Sequence, residues 1–315
     1  MIVELPDSTI SRVQKSLIKI REEGGAVALG RVLTLIISTR LGEEEEAIEA
    51  ANEASREHPM RVIVISTNDR SDDEEARLDA QIRVGGDAGA SEVIVLRAFG
   101  DTASDEEGLV TGLLLPDAPV VAWWPGRAPV SVSESPLGRI AQRRITDAAS
   151  QANPRQSIVD LAETYEPGDT DFAWTRLTLW RTQLAAVLDQ PPYEPVTEVQ
   201  VSGSPDSPST LLLAAWLRLQ LQVPVTSELT SRATGSSGIH GVRLVRPSGS
   251  IELERSVVNV ATLTQPNQPT HDLSLPRRSL RDCLAEELRR LDPDDLFGDV
   301  VRTGVSQLSE PVHSN

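Results

Sequence analysis

Cysteine is nearly absent: Cys283 is the only one in 315 residues. A single thiol closes no internal disulfide and builds no cysteine-based metal cage. Lysine is almost as scarce, with Lys15 and Lys19 against 28 arginines. Arginine codons are GC-rich, so this bias reads as genome composition, not as selection of bidentate phosphate binders. Positive charge is short overall, 30 basic residues against 47 acids, for a formal charge of -17. Binding a nucleic-acid backbone needs a positive patch that releases counterions, so nucleic acid is excluded as a main partner. The deficit is local: residues 41–110 hold 19 acids and 6 arginines. Long apolar runs are missing too. The stretch Leu211–Leu217 falls far short of the roughly 20 residues a membrane helix needs. The opening MIVELPDS has neither a basic n-region nor an apolar h-region, so the expectation is no secretory signal and a cytoplasmic location.

What is present is an ordinary globular balance, 39 % hydrophobic, in a chain long enough for about two domains. Asp7 is placed to cap a first helix with Ile10, Val13, Leu17 and Ile20 on one stripe, ended by Gly24-Gly25. Buried strands are predicted at 32–38, 61–66, 78–84, 92–99 and 120–124, with helices at 42–58 and 105–115. Strands alternating with helices indicate an α/β layer. Helical pieces are expected at 137–150 and 157–165. The domain boundary is placed at Pro167-Gly168, giving an N-terminal α/β domain over 1–166 and a C-terminal one over 167–302. Residues 303–315 are expected to fray. The fold class is therefore α/β, two domains each built on a mostly buried mixed sheet with packed helices.

In the second half Asp171 heads a helix with Ala173, Leu177, Trp180, Leu184 and Leu188 on one stripe. Ser207 and Pro208 open a helix through Leu221 that is apolar almost all round. A hairpin over 242–254 with Ser248-Gly249 as its loop would face Leu244 with Leu253 and Arg243 with Glu254. A strand is expected at 257–263 and a loop at 265–276. Ser279 and Asp282 resemble a capping box for the last helix.

No catalytic constellation emerges. His58, His240, His271 and His313 are isolated from nucleophile motifs, and no H-E-x-x-H, G-x-S-x-G or Walker pattern occurs. GGAVALGR (24–31) precedes a strand instead of following one, which defeats a dinucleotide fingerprint. The acids Asp72 to Glu75 lack calcium-loop spacing. Cys283 reads as a small apolar filler. No residue is thus assigned a catalytic, cofactor-binding or metal-binding role. Partner-binding candidates remain. Arg139 and Arg143, i and i+4 on the expected helix, together with Arg144 could grip a phosphate or an acidic surface, against a solvated helix face as the competing reading. Trp123 and Trp124 point to opposite faces of a strand, so one of them is a contact anchor if exposed. Trp174 aligns with Arg181, with Arg176 beside them, a Trp–Arg chemistry typical of interfaces; core filling is the competing reading for each tryptophan.

The segments GAVALGRVLTLII (25–37), LPDAPVVAWWPGRAP (115–129), DFAWTRLTLWRTQLA (171–185) and SPSTLLLAAWLRLQL (207–221), with the MIVELPD start, resemble the OpcA family of glucose-6-phosphate dehydrogenase assembly proteins of actinobacteria and cyanobacteria. The resemblance runs in order from residue 1 to about 300, and the Arg-rich composition fits the actinobacterial branch. It implies a non-enzymatic, cofactor-free partner that binds glucose-6-phosphate dehydrogenase, favours its active oligomer or activates it allosterically, and serves the oxidative pentose phosphate pathway. In cyanobacterial relatives activation is tied to thiol redox state; one cysteine here forms no internal disulfide. The alternative is an enzyme or sensor of sugar phosphates, with Arg139, Arg143 and Arg144 holding phosphate and a histidine such as His240 as base.

Overall fold

The computed structural model describes residues 1–23, 32–68, 75–85, 92–229 and 238–308. The expected turn at 24–31 and the acids Asp72, Asp73 and Glu74 lie outside the described residues. The chain starts with β1 (Ile2–Leu5), α1 (Ile10–Glu23), β2 (Leu33–Arg40), α2 (Glu44–Ala54), β3 (Met60–Thr67) and β4 (Arg77–Val84). It continues with β5 (Glu92–Phe99), α3 (Glu106–Thr111), β6 (Val120–Trp124), α4 (Pro136–Ile140), β7 (Arg143–Thr146), α5 (Pro154–Thr164) and β8 (Asp169–Asp171). Then follow α6 (Phe172–Thr175), α7 (Thr178–Leu188), β9 (Glu198–Gly203), α8 (Pro208–Leu221), β10 (Val225–Leu229), β11 (Ile239–Arg246) and β12 (Gly249–Val257). The last elements are β13 (Val260–Thr264), β14 (His271–Ser274), α9 (Leu280–Arg289), α10 (Asp295–Asp299) and α11 (Val305–Gln307).

These elements form two units, and neither is continuous in sequence. The first takes Met1–Asp147, Gly168–Thr170 and Ser279–Pro293; the second takes Ala148–Pro167, Asp171–Arg278 and the residues from Asp294 on. The boundary expected at Pro167-Gly168 is thus one of several points where the chain passes between units.

The first unit is built on an eight-stranded sheet ordered β1-β4-β5-β3-β2-β6-β7-β8. β5, β3, β2, β6 and β7 run parallel, while β4 is antiparallel to both its neighbours, β1 and β5. The first five residues of β2, seven of the eight in β3 and the first five of β5 are buried. Both faces of the sheet are therefore covered, which is why these strands read as unbroken β-branched runs. Arg61 and Glu92 begin β3 and β5 side by side and are buried as an ion pair at 2.7 Å. Helix α1 starts later than an Asp7 cap would allow. Asp7 sits at φ 43°, its amide donating to Asp79 at 2.9 Å, and the Thr9 hydroxyl accepts from the Arg12 amide instead at 3.3 Å. The single helix expected at 137–150 is replaced by α4, β7 and a short 3-10 turn at Ala148–Ser150. The segment RRIT is buried throughout and pairs in parallel with β6, so sheet pairing outweighs local helix propensity. Helix α9 belongs to this unit. Its Ser279–Asp282 capping box forms as expected, and Cys283 is fully buried.

The second unit has a six-stranded sheet ordered β10-β9-β11-β12-β13-β14. Only β10 and β9 are parallel. In β9 buried and half-buried residues alternate, the pattern of a sheet packed on one face. Helix α8 is the hub of this unit, with nine of its residues buried. Ser207 caps it by accepting from the Thr210 amide at 3.1 Å, with Pro208 in the first turn. The hairpin register differs from expectation. Leu244 faces Ile251 and Arg243 faces Glu252, so the loop is Pro247-Ser248. Proline cannot take the positive φ that the first residue of the usual two-residue hairpin turns requires; Gly249 supplies it next, at φ 130°. A shift of two residues keeps each side chain on its face, and Arg243 still meets an acid, Glu252, at 3.1 Å. β14 occupies the expected loop at 265–276. The expected frayed tail is helical through Gln307, continuing α10 by a π-helical turn at Val300–Gly304, with Val300, Val301 and Val305 buried.

Candidate functional site

In the first unit the strand order reverses between β2 and β6. β2 leads outward to β3 and β5, and β6 leads the other way to β7. Open parallel sheets hold ligands outside the carboxyl ends of their strands at such a reversal, with phosphate on the following helix N-terminus. Here that helix is α2, and its first turn carries Glu44, Glu45 and Glu46. The Glu44 carboxylate is 3 % exposed as a residue. It accepts from the Ser66 hydroxyl at 2.7 Å and pairs with Arg97 at 3.3 Å. Burial is the largest influence on Glu44 and pushes its carboxyl up, yet the Ser66 and backbone hydrogen bonds and the Arg97 charge together hold it below the usual carboxylate range. The Arg83 guanidinium hydrogen-bonds Glu45 at 2.6 and 2.8 Å and lowers its carboxyl likewise. Half-buried Glu106 is pushed up by burial, against a weak hydrogen bond from Ser38 at 3.5 Å. Carboxylates already saturate the positive end of the α2 dipole. A dinucleotide pyrophosphate would meet repulsion there.

Of the partner-binding candidates in the first unit, Arg139 alone is exposed. Trp123 and Trp124 are 0 % and 3 % exposed, so neither meets the condition of exposure on which a contact anchor there depended. The two rings do point to opposite faces of β6, and both faces are covered. The arginine trio is not a helix face. Arg139 ends α4 and pairs with Glu107 at 3.0 Å, its side chain 57 % exposed. Arg143 and Arg144 are instead on β7 and buried. Arg143 pairs with Glu287 of α9 and donates to the Asp292 carbonyl at 2.9 Å. Arg144 pairs with Asp169. Three arginines that could have shared one phosphate are each held by a different carboxylate.

In the second unit Trp174 and Arg181 do meet, the guanidinium carbon 3.7 Å from the ring centroid. The stack is internal. Trp174 is 1 % exposed, its indole donates to Asp294 at 2.8 Å, and Phe297 lies 5.7 Å away. It ties α6, α7 and α10 together. Arg176 is half-buried over Phe172.

Arg176 also lines a cavity of about 400 Å³ that lies wholly within the second unit. Among the described residues four guanidiniums border it, those of Arg176, Arg255, Arg277 and Arg278, and Asp206 is the one carboxylate in its lining. The amino end of α8, Ser207 to Ser209, forms part of the wall, as does Trp180. Arg255 reaches in from β12 with its guanidinium carbon 5.2 Å from the Trp180 ring and donates to the Leu275 carbonyl at 2.9 Å. Its Nε is buried with no hydrogen-bond partner among the described residues. Burial, and then the neighbouring charge of Arg277, pull Arg255 below the usual arginine range. Arg278 donates to the Thr175 carbonyl at 3.1 Å. Sequence reading picked out only Arg176 here. The four cations are spread from 176 to 278, and the sole local signal was the doublet Arg277-Arg278 between Pro276 and the α9 cap.

His58 contacts the Ala285 carbonyl at 3.2 Å, and His313 lies outside the described residues. Among the described residues no cluster of three His, Cys, Asp or Glu could hold a metal ion, and no helix is long and apolar enough to cross a membrane.

Comparison with known proteins supplies a context for both units. A family model described as the glucose-6-phosphate dehydrogenase subunit N-terminal domain matches residues 51–163, and one described as the C-terminal domain matches residues 167–301. A putative OxPP cycle protein, OpcA, from Synechocystis sp. is 30 % identical over 104 residues, 32 % of this chain and 22 % of that protein. The match thus spans about a fifth of that relative's length. A 3-ketoreductase from Actinomadura kijaniata aligns over 88 % of this chain and 96 % of its own at 11 % identity, with a TM-score of 0.47. A myo-inositol dehydrogenase from Lactobacillus casei aligns over 89 % and 96 % at 8 % identity, with a TM-score of 0.46. Likeness at that level carries nothing about activity.

Proposed function

The chain belongs to the OpcA family of glucose-6-phosphate dehydrogenase assembly proteins, and on that premise we propose that it is a non-catalytic cytoplasmic factor that binds glucose-6-phosphate dehydrogenase and favours its active oligomer, in support of the oxidative pentose phosphate pathway. The observation that carries this reading is the pair of family matches, which follow one another along the chain from 51 to 301. The geometry supports it from the other side. The strand-order reversal where a doubly wound enzyme would hold a dinucleotide is lined with acids. The arginine trio of the sugar-phosphate alternative is spent on Glu107, Glu287 and Asp169.

The physical means is differential affinity. A factor shifts an oligomer equilibrium only by as much as it prefers one state to the other; a hundredfold preference supplies about 2.7 kcal/mol. Of the eight candidate contact residues, Arg139 alone is exposed. It is therefore the member of that set we assign to the interface, with its ion-pair partner Glu107 beside it.

The test uses the purified pair, with molar mass and dehydrogenase activity followed in one titration. The expected result is a defined complex with raised activity, weakened by Arg139→Glu, and no turnover of sugar phosphates by the chain alone. Absence of a complex at micromolar concentrations, or turnover by the chain alone, rules the reading out.

A further inference from the structure

We propose that the four-arginine cavity of the second unit is a binding site for a small phosphorylated metabolite, a phosphomonoester of a sugar or similarly sized polyol. This inference concerns the chain by itself and does not depend on the dehydrogenase reading.

The charge balance of the lining comes first. Among the described residues four guanidiniums and one carboxylate border a single space. Concentrating like charges in a concave, low-dielectric site costs free energy that a bound anion relieves. That crowding is felt within the site, since Arg277 and burial together disfavour the charged form of Arg255. Arginine stays protonated even so, because its ordinary value is so high. An anion is therefore the species that fits, not a neutral ligand.

Geometry narrows the anion. The planar guanidinium fork donates in pairs to phosphate oxygens. Arg255 stands half-buried in the wall with its guanidinium carbon 5.2 Å from the Trp180 ring. The wall also includes the amino end of α8, a helix of 14 residues whose dipole favours negative charge at that end. The cations and the helix end belong to separate parts of the chain, so the anion preference does not rest on the helix end alone.

Size and apolar lining narrow the rest. About 400 Å³ lies in the lower part of the range for small-molecule pockets. It holds a phosphorylated six-carbon skeleton and is small for a nucleoside diphosphate. Trp180, Pro208, Ile239 and Pro276 give the carbon body apolar surface beside the cations. The cavity lies apart from the earlier trio; of the original candidates only Arg176 takes part.

The experiment is calorimetric titration of the full-length chain alone with inorganic phosphate, glucose 6-phosphate, glucose and an oligoglutamate peptide. The expected result is saturable binding of glucose 6-phosphate, weaker binding of inorganic phosphate and none of glucose. Arg277→Ala, at an exposed position, should lower the affinity at least tenfold with an unchanged melting temperature. Arg255→Lys, which keeps the charge and loses the fork, should lower it as well. The proposal is overturned if neither phosphate compound saturates below about 10 mM, if glucose binds as well as its phosphate, or if Arg277→Ala binds like the parent chain. Binding of oligoglutamate in place of the phosphate compounds also overturns it and makes the cavity a docking site for an acidic protein segment.

Discussion

Arg143 and Glu287 are each 5 % exposed at the side chain, and the Thr170 hydroxyl donates to the same carboxylate at 3.4 Å. A buried pair of this kind is worth little net, but removing one partner strands the other. Glu287→Ala should therefore cost about 3–5 kcal/mol. The double change Arg143→Met with Glu287→Leu should recover most of that, because no charge is left buried. Chemical denaturation of the three proteins checks it; equal losses in the single and double variants would mean that packing, not charge, dominates the site. Glu106 gives a pH effect of the opposite origin. Its carboxyl is raised by burial, so the folded chain holds that proton more tightly than the unfolded one. Stability from this group is full below the ordinary carboxylate value and is lost as pH rises through the raised folded value. Glu106→Gln mimics the protonated form. It should leave stability unchanged below the ordinary carboxylate range and raise it at neutral pH, read as a higher melting temperature there. Melting curves across pH decide it, and a shift that is the same at both ends contradicts it.

Elements were legible where one local rule dominated. β2, β3, β5 and β6 read correctly because strands buried on both faces are unbroken apolar runs. Helices α8 and α9 read correctly because Ser207 and Ser279 cap them as their sequences prescribe. Where tertiary pairing decides, the reading failed. Arg143–Thr146 became a strand because β6 offers it an edge, and β14 formed because β13 does. Neither edge is visible from the residues that dock on it. The hairpin went wrong by two residues for a smaller reason, the φ of Pro247. The candidate site was less legible than the fold. Both members of the Trp174–Arg181 pair were seen and do touch, but the sequence left interface and core filling open for Trp174, which is buried, since spacing reports contact and not exposure. The arginine cavity was missed because Arg176, Arg255 and Arg277 come from three elements with no common period.

At the scale of the molecule the partition of the chain matters most. The two family matches abut near residue 165, which invites a cut at Pro167-Gly168. The compact first unit nevertheless includes Gly168–Thr170 and Ser279–Pro293. Those short returns bring Asp169 to Arg144 and Glu287 to Arg143, and they bring Leu284 and Leu288 of α9 into the buried core. A fragment 1–166 therefore keeps two arginines whose surroundings are built for burial and loses both of their carboxylates. Each stranded charge costs several kcal/mol, and a domain of this size has about 5–15 kcal/mol in all. The fragment should consequently melt without a cooperative transition or precipitate. Residues 1–170 joined to 279–293 by a flexible linker restore both carboxylates and the α9 face, and this chimera should regain a cooperative transition. Calorimetry of the two proteins separates the possibilities. If 1–166 unfolds as cooperatively as the chimera, the returning segments are accessories, and the stability of the first unit lies in its parallel sheet alone.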